Sequence, residues 1–212
     1  MSVRFDDARW FPVDLDVVHG RFAFLPIDAD VLERSVFLDT RIEARLTDAT
    51  VVDADALPAG DPPPPGWLFH TSFCCSTLLA RALHLPPALV ALKEPLVLRR
   101  LADAREAGQD TDALLPQTVA LLARPWQPRG AVVIKPTHAA LNIAGDCLDA
   151  TPGSRAVVLS SGLEDFLVSN IKKTPETQAK IPALAERALK AGTLAARLGP
   201  GAFAPPDLLC AA

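Results

Sequence analysis

A turn rich in hydroxyl and thiol side chains is the stretch of this 212-residue sequence best suited to chemistry. It occupies residues 71–77, between an apolar run at 67–69 and leucines at helical spacing, which predicts a strand, a tight turn and a helix in that order. The free N–H groups and the dipole at a helix start both favour an anion. We therefore predict that sulfate or phosphate binds within this turn, which consists of Thr71, Ser72, Phe73, Cys74, Cys75, Ser76 and Thr77.

The turn differs from the standard phosphate-binding loop, which has glycine at its first position and Gly-Lys before the Ser or Thr. When the two are aligned on Ser76-Thr77, Cys75 takes the position of the lysine. An ordinary turn between a strand and a helix, capped by Ser or Thr, therefore stays open as an alternative.

Charged and imidazole side chains follow two further apolar runs. Glu94 follows the run at 88–92, and Lys135 and His138 follow the run at 131–134. Ligands of open α/β sheets bind outside the carboxyl ends of the strands, so we expect these three residues at that edge, with Lys135 and His138 beside the turn. The alternatives are solvated loop residues and, for His138, a helix cap.

The alternation of strand and helix patterns predicts an α/β fold with a mostly parallel, doubly wound central sheet. Residues 1–60 are predicted as an α+β preamble packed on the core, with a strand at 22–26 and a helix over 31–38 capped by Asp28 or Asp30. The segment 51–60 is expected to be loosely structured. Residues 61–212 form the main domain, which begins with a proline-rich connector and ends with an amphipathic helix over 180–197 and a first helical turn at 208–212.

The composition of the chain argues against some classes of function. A net charge of −4 and a pI near 5.5 argue against a general nucleic-acid binder. The first residues lack the layout of a signal peptide, and no apolar run approaches the ~20 residues of a membrane span, so a cytoplasmic protein without membrane contact is expected. The four cysteines have no zinc spacing, and adjacent Cys74 and Cys75 are expected to be buried and reduced.

Three stretches together resemble the sulfotransferases of the P-loop fold, which move a sulfonate from PAPS (3′-phosphoadenosine 5′-phosphosulfate) to a hydroxyl or amine. Residues 73–79 are similar to the family's Lys/Arg-Ser-Gly-Thr-Thr loop and leucine-rich helix. Residues 134–138 are similar to its Ile-Lys-Thr-His strand end, with one inserted proline. Residues 161–169 keep Asp165 and Ser169 at the spacing of its Arg-Asn-Pro-x-Asp segment and the serine that follows.

The resemblance, which covers roughly residues 66–173, implies a P-loop NTPase-like three-layer αβα fold and sulfonyl transfer without a metal. His138 would take the acceptor proton, Lys135 would stabilise the sulfonate oxygens, and Glu94 would be the reserve base. The turn would hold the 5′ phosphosulfate, and Ser161 and Ser169 would lie near the 3′-phosphate. The implied partner is a small-molecule acceptor.

The departures from the family lead to further expectations. Phe73 stands in place of the loop Lys/Arg, Cys75 in place of a glycine, and Ser161 in place of the arginine that holds the 3′-phosphate. A complete member is expected to continue past Ala212, so weak PAPS binding, slow turnover and a possible homo-oligomer are predicted. Two alternatives remain: a protein that binds a nucleotide or a protein partner without catalysis, and a divergent phosphotransferase. The second is weakened because no Walker-type lysine and no evident strand-end Asp for Mg²⁺ is present.

Overall fold

The computed structural model of the chain describes residues 3–58, 60–61 and 63–179, which form two compact units. Of these described residues, the first unit contains those up to 70 and residues 75–159, and the second contains residues 71–74 and 160–179. The helix predicted over 180–197 and the helical turn predicted at 208–212 lie outside the described residues.

The first unit begins with a three-stranded antiparallel sheet. Its strands β1 (Trp10–Asp16), β2 (Arg21–Pro26) and β3 (Thr50–Asp53) are hydrogen-bonded in the order β1-β2-β3. The strand predicted at 22–26 is confirmed as β2. The prediction of a loosely structured segment from residue 51 was wrong at its start, because residues 50–53 pair in register with β2. The sequence analysis did not predict β1, in which the register shifts between Pro12 and Asp14.

A short helix, α1 (Ala29–Arg34), follows the first two strands. Asp28 caps it, as predicted, because its carboxylate accepts a hydrogen bond from the Val31 N–H at 2.9 Å. The predicted extension to residue 38 was wrong, since Ser35 is extended and its hydroxyl accepts a hydrogen bond from the Glu43 N–H. The chain then runs to Leu38, whose N–H donates to the Lys93 carbonyl at 2.6 Å.

A four-stranded, all-parallel sheet forms the centre of the first unit. Its strands are β4 (Gly66–His70), β5 (Leu89–Lys93), β6 (Ala131–Lys135) and β7 (Arg155–Leu159), in the order β5-β6-β4-β7. The first three strands are largely buried runs of apolar residues, as expected for parallel strands covered on both faces. The predicted α/β class with a parallel central sheet is confirmed at this level, and the more specific P-loop assignment stays a prediction.

Helices flank this sheet. The connection β4 to β5 carries α2 (Ser76–Ala82), β5 to β6 carries α3 (Leu96–Glu106) and α4 (Leu114–Leu122), and β6 to β7 carries a 3₁₀ helix (His138–Ile143) and α5 (Ala144–Asp149). The first connection runs in the opposite direction to the other two, so right-handed crossovers place α2 on one face and the others on the second face. Accordingly α3 packs against the 3₁₀ helix, α4 against α5, and both α3 and α4 against β1.

We expect His84, in the loop between α2 and β5, to make the stability of this unit sensitive to mild acid. Its Nδ1 accepts a hydrogen bond from the Ala91 N–H at 3.2 Å, which only the neutral ring can do. Burial, reinforced by the charge of Lys93, lowers the pKa of His84 from its usual 6.5. Because the unfolded chain then binds more protons, we expect stability to fall as the pH drops below about 6.5, until the lowered folded pKa is passed.

The variant His84→Asn tests this expectation, since an amide oxygen can accept the same hydrogen bond but does not titrate. Urea unfolding at pH 7.5 and pH 5.5 should show a smaller loss of stability for the variant than for the parent protein. An equal loss in both proteins would assign the pH dependence to other groups.

Candidate functional site

The hydrogen-bonded ladder between β4 and β6 stops well before the carboxyl end of β4. It contains only the pairs Gly66–Val133 and Trp67–Ile134. The ladder between β5 and β6 continues to Lys93–Lys135, and the ladder between β4 and β7 continues to His70–Leu159. The direction of the crossovers also reverses between β4 and β6, which is the place where open α/β sheets bind ligands. The opening between the carboxyl ends of β4 and β6 is therefore the candidate site.

Four ionisable side chains gather at this end of the sheet, and we call them the strand-end cluster. His70 and Lys135 are the last residues of β4 and β6, Glu94 follows β5, and His138 begins the 3₁₀ helix. The predicted placement of Lys135, His138 and Glu94 at the carboxyl edge is confirmed, whereas their catalytic roles stay predictions. The sequence analysis missed His70, although a polar residue at the end of an apolar run was the same signal that identified the other three.

Lys135 and Glu94 form a buried ion pair. The Lys135 side chain is 0% exposed, and its Nζ donates a hydrogen bond to Oε1 of Glu94, whose side chain is 14% exposed. The Glu94 N–H in turn donates to the Lys135 carbonyl at 2.7 Å. An ammonium group removed from water needs a hydrogen-bonded counter-charge, and Glu94 supplies it. The alternative that Lys135 and Glu94 are solvated loop residues was therefore wrong.

The backbone of Glu94 is strained. Its φ is +56°, in the left-handed region that costs a non-glycine residue ~1–2 kcal/mol. Such strain persists only where the surroundings hold it, and it clusters at functional sites. Here the hydrogen bonds of the Glu94 backbone and side chain to Lys135 hold the carboxylate at the edge of the opening.

Two imidazole rings flank the opening. His70 is buried, and its Nε2 lies 3.0 Å from the Pro136 carbonyl oxygen and 3.8 Å from Oε1 of Glu94. Because a carbonyl only accepts, Nε2 of His70 carries a proton. The ring of His138, which is half-buried, packs edge-on against His70 with centroids 6.3 Å apart. A carboxylate, an ammonium and two imidazoles thus lie together, a set of groups that can take up and return protons.

The segment 37–41 lies beside this cluster. The Phe37 ring has Nζ of Lys135 5.8 Å from its centroid and Cζ of Arg41 4.0 Å from it. The hydrogen bonds that the Arg41 guanidinium donates to the Asp39 carboxylate raise the pKa of Arg41. Burial lowers this pKa in part, and the charge of Glu94 adds to the rise. The Arg41 side chain is 59% exposed and is ion-paired with Asp39, so a second cation lies near the strand-end cluster. Nothing in the sequence near Arg41 indicated this position.

A second lysine at the same sheet edge has a structural role. Nζ of Lys93 is directed to the carboxyl end of α1, where it donates to the Leu32 carbonyl at 2.7 Å and lies 3.4 Å from the Glu33 carbonyl. Burial lowers the pKa of Lys93. Lys93 therefore caps the carboxyl end of α1, whereas Lys135 is the lysine that belongs to the strand-end cluster.

The first unit contains the last three residues of the predicted anion-binding turn. Ser76 and Thr77 are the first two residues of α2, and Cys75 precedes them with φ +61° and makes no side-chain capping bond. The alternative of a turn capped by Ser or Thr was therefore wrong. Cys75 adopts a left-handed backbone conformation that favours glycine. Cys75 is also exposed, so the prediction of two buried cysteines was wrong for this residue.

The second unit contains the other predicted donor-binding residues. Cys74 is buried, and its thiol donates to the Thr71 carbonyl at 2.9 Å. Phe73 has a φ of +58°, and its ring contacts that of Phe166, on α6 (Leu163–Ile171), at 5.9 Å. The ammonium of Lys173 lies 4.8 Å above the Phe73 ring, so a cation lies beside this residue of the predicted anion-binding turn.

Two predicted serines of this unit lie on α6 or shortly before it, and α6 is followed by α7 (Pro175–Gln178). Ser169 lies on α6, and Ser161 precedes it with a buried hydroxyl that has no hydrogen-bond partner among the described residues. Ser72, Ser161 and Ser169 stay predicted donor-binding residues.

Among residues 3–58, 60–61 and 63–179, no three His, Cys, Asp or Glu side chains are grouped so that they could hold a metal ion. Over the same residues, no helix combines the length and apolar character needed to cross a membrane. Comparison of the chain with protein-family models, with curated proteins and with solved structures finds no match in any of the three.

Proposed function

We propose that the strand-end cluster activates an acceptor hydroxyl or amine for transfer of a sulfonate from PAPS. The observation that carries this proposal is the meeting of His70, Glu94, Lys135 and His138 at the point where the crossovers of the parallel sheet reverse direction. The choice of a sulfonate donor is supported by the resemblance of residues 66–173 to sulfotransferases.

In the proposed reaction the acceptor oxygen or nitrogen forms a bond to sulfur as the bond from sulfur to the bridging phosphosulfate oxygen breaks. His138 takes the acceptor proton, and 3′,5′-ADP leaves with the bridging oxygen. Glu94 is the second base, and Lys135 orients its carboxylate. Because Lys135 is fully buried against Glu94, we assign its main effect to that carboxylate, and its direct contact with the sulfonate oxygens stays a prediction.

A second candidate is a protein that binds a nucleotide without transferring a group. It is favoured by the complete burial of Lys135, which leaves that ammonium paired rather than presented to a ligand. In either case we propose a cytoplasmic protein that acts on small molecules, because the exposed thiol of Cys75 suits a reducing compartment and the net charge of −4 argues against nucleic acid.

Titration calorimetry with 3′,5′-ADP, 5′-AMP and ATP with Mg²⁺ tests the donor. We expect 3′,5′-ADP to bind about tenfold more tightly than 5′-AMP, which lacks only the 3′-phosphate, because one hydrogen bond to a charged 3′-phosphate contributes ~1.5 kcal/mol. A preference for ATP with Mg²⁺ would point to phosphoryl transfer instead. Equal binding of all three nucleotides would contradict the choice of PAPS.

Release of 3′,5′-ADP from PAPS tests the base. We expect His138→Gln to slow this release by about 10²–10⁴-fold, the usual contribution of a general base. The matched control is His19→Gln, since His19 is an exposed residue in the turn between β1 and β2 and should leave the rate unchanged. Equal rates in the two variants would remove His138 from the proposed mechanism.

A further inference from the structure

The His70 side chain bridges the opening between β4 and β6. The backbone ladder between these strands ends at Trp67–Ile134, three residues before the end of β4. Beyond that point the hydrogen bond from Nε2–H of His70 to the Pro136 carbonyl, at 3.0 Å, joins the end of β4 to the segment that follows β6. A side chain thus makes the connection that backbone groups make elsewhere in the sheet.

An imidazole is an unexpected residue at this point of the strand. His70 continues the buried apolar run of Trp67, Leu68 and Phe69 and is itself only 4% exposed. An aliphatic side chain would suit a buried parallel strand, whereas a buried polar group costs free energy unless it is hydrogen-bonded. The imidazole is therefore best explained by the groups that it contacts.

Those groups include the proposed catalytic residues. The Pro136 carbonyl is two residues before His138, whose ring packs edge-on against His70. The same Nε2 lies 3.8 Å from Oε1 of Glu94, and that carboxylate is held by Lys135. One side chain thus contacts both the segment that carries His138 and the carboxylate that follows β5.

We propose that His70 is a positioning residue for the sulfonyl transfer, a role that rests on the proposed function. By donating to the Pro136 carbonyl it fixes residues 136–138 and sets the place of the His138 ring relative to Glu94. His70 itself need not exchange a proton with the acceptor. Errors of about 1 Å in the placement of reacting groups can cost ~10²-fold in rate, so this single hydrogen bond can have a large effect.

Two amide variants that differ in reach provide a matched test. The amide nitrogen of His70→Gln can take the position of Nε2 and donate to the Pro136 carbonyl, whereas that of His70→Asn is too short to do so. The first readout is NMR of the ring nitrogens, in a chain with only four histidines. We expect the His138 resonances and their titration midpoint to shift in H70N and to stay near the parent values in H70Q, while His19 and His84 report that both variants are folded.

The second readout is the release of 3′,5′-ADP from PAPS. We expect kcat to fall about 10–100-fold in H70N with KM for PAPS changed less than threefold, and H70Q to stay within about fivefold of the parent protein. If kcat falls in both variants, the imidazole itself is required. If kcat stays near the parent value in both, the hydrogen bond to the Pro136 carbonyl has no role. Either result would overturn the proposal.

The two readouts separate this proposal from the proposed function. If the parent protein neither binds 3′,5′-ADP nor releases it from PAPS, the proposed function fails, while the NMR comparison still decides whether His70 positions His138. If PAPS is turned over but the His138 resonances are the same in H70N and the parent protein, only the positioning role fails. If H70N does not fold, H70Q alone decides. His138 resonances shifted from the parent values in H70Q would overturn the positioning role, and unshifted resonances would support it.

Discussion

Replacing Arg124 with methionine should lower the free energy of unfolding by about 3–5 kcal/mol. The guanidinium is buried and donates to carbonyls in two distant parts of the chain, at distances of 2.7–3.2 Å. Two of these carbonyls precede β1, a third belongs to its first residue, and the fourth lies in the last turn of α4. They are the carbonyls of Phe5, Asp7, Trp10 and Leu121. Methionine would leave buried carbonyl groups without donors, each at a cost of ~1–3 kcal/mol, partly relieved by local adjustment.

The matched control for this variant is Arg99→Met. Arg99 pairs with Asp103 one turn later on α3, and both side chains are more than a third exposed, so its loss should cost less than about 0.5 kcal/mol. Burial lowers the pKa of Arg124 to about 10, which still leaves it charged at neutral pH. The difference between the variants in urea unfolding should therefore be the same at pH 6 and pH 8. Equal stability of the Arg124→Met and Arg99→Met variants would show that the hydrogen bonds from Arg124 to these four carbonyls do not contribute to the free energy of unfolding.

The parallel sheet could be predicted from the sequence because buried parallel strands are continuous runs of apolar residues. Leu92 and Ile134, for example, lie in short runs of sheet-forming residues and are fully buried. The antiparallel strands were harder to predict. Val51 in β3 is 60% exposed, so its strand is defined by pairing with β2 rather than by burial, and β1 contains a proline at an irregular position.

The candidate site was predictable as a location but not as a set of interactions. Parallel topology brings strand ends together, so Glu94 and His138 could be placed from their positions after apolar runs. The burial of Lys135 against Glu94 could not be predicted, because it depends on the direction of two side chains and on a strained backbone at Glu94. Arg41 reaches the same edge only because residue 38 hydrogen-bonds to the end of β5, a long-range contact without a local pattern.

The buried pair of Lys135 and Glu94 should show strong coupling in a double-mutant cycle. We expect Lys135→Met and Glu94→Gln each to lower the free energy of unfolding by about 3 kcal/mol, because each leaves a buried charge without its partner. Glu94→Gln should be at least as damaging, since the remaining ammonium is fully buried whereas Glu94 keeps some contact with water. In the double variant neither charge remains, so its loss should fall short of the sum by about 2 kcal/mol.

The exposed pair of Arg100 and Asp14 is the control cycle. Its side chains are 44% and 42% exposed, so the variants Arg100→Met and Asp14→Asn should couple by less than about 1 kcal/mol.

The Lys135→Met and Glu94→Gln variants and their double variant also test the role assigned to Lys135 in catalysis. If Lys135 acts by orienting Glu94, the release of 3′,5′-ADP from PAPS should be slowed no further in the double variant than in Glu94→Gln alone. If the two substitutions slow the release by factors that multiply in the double variant, Lys135 contacts the transferring group directly. If instead their losses in free energy of unfolding simply add, the two charges do not depend on each other.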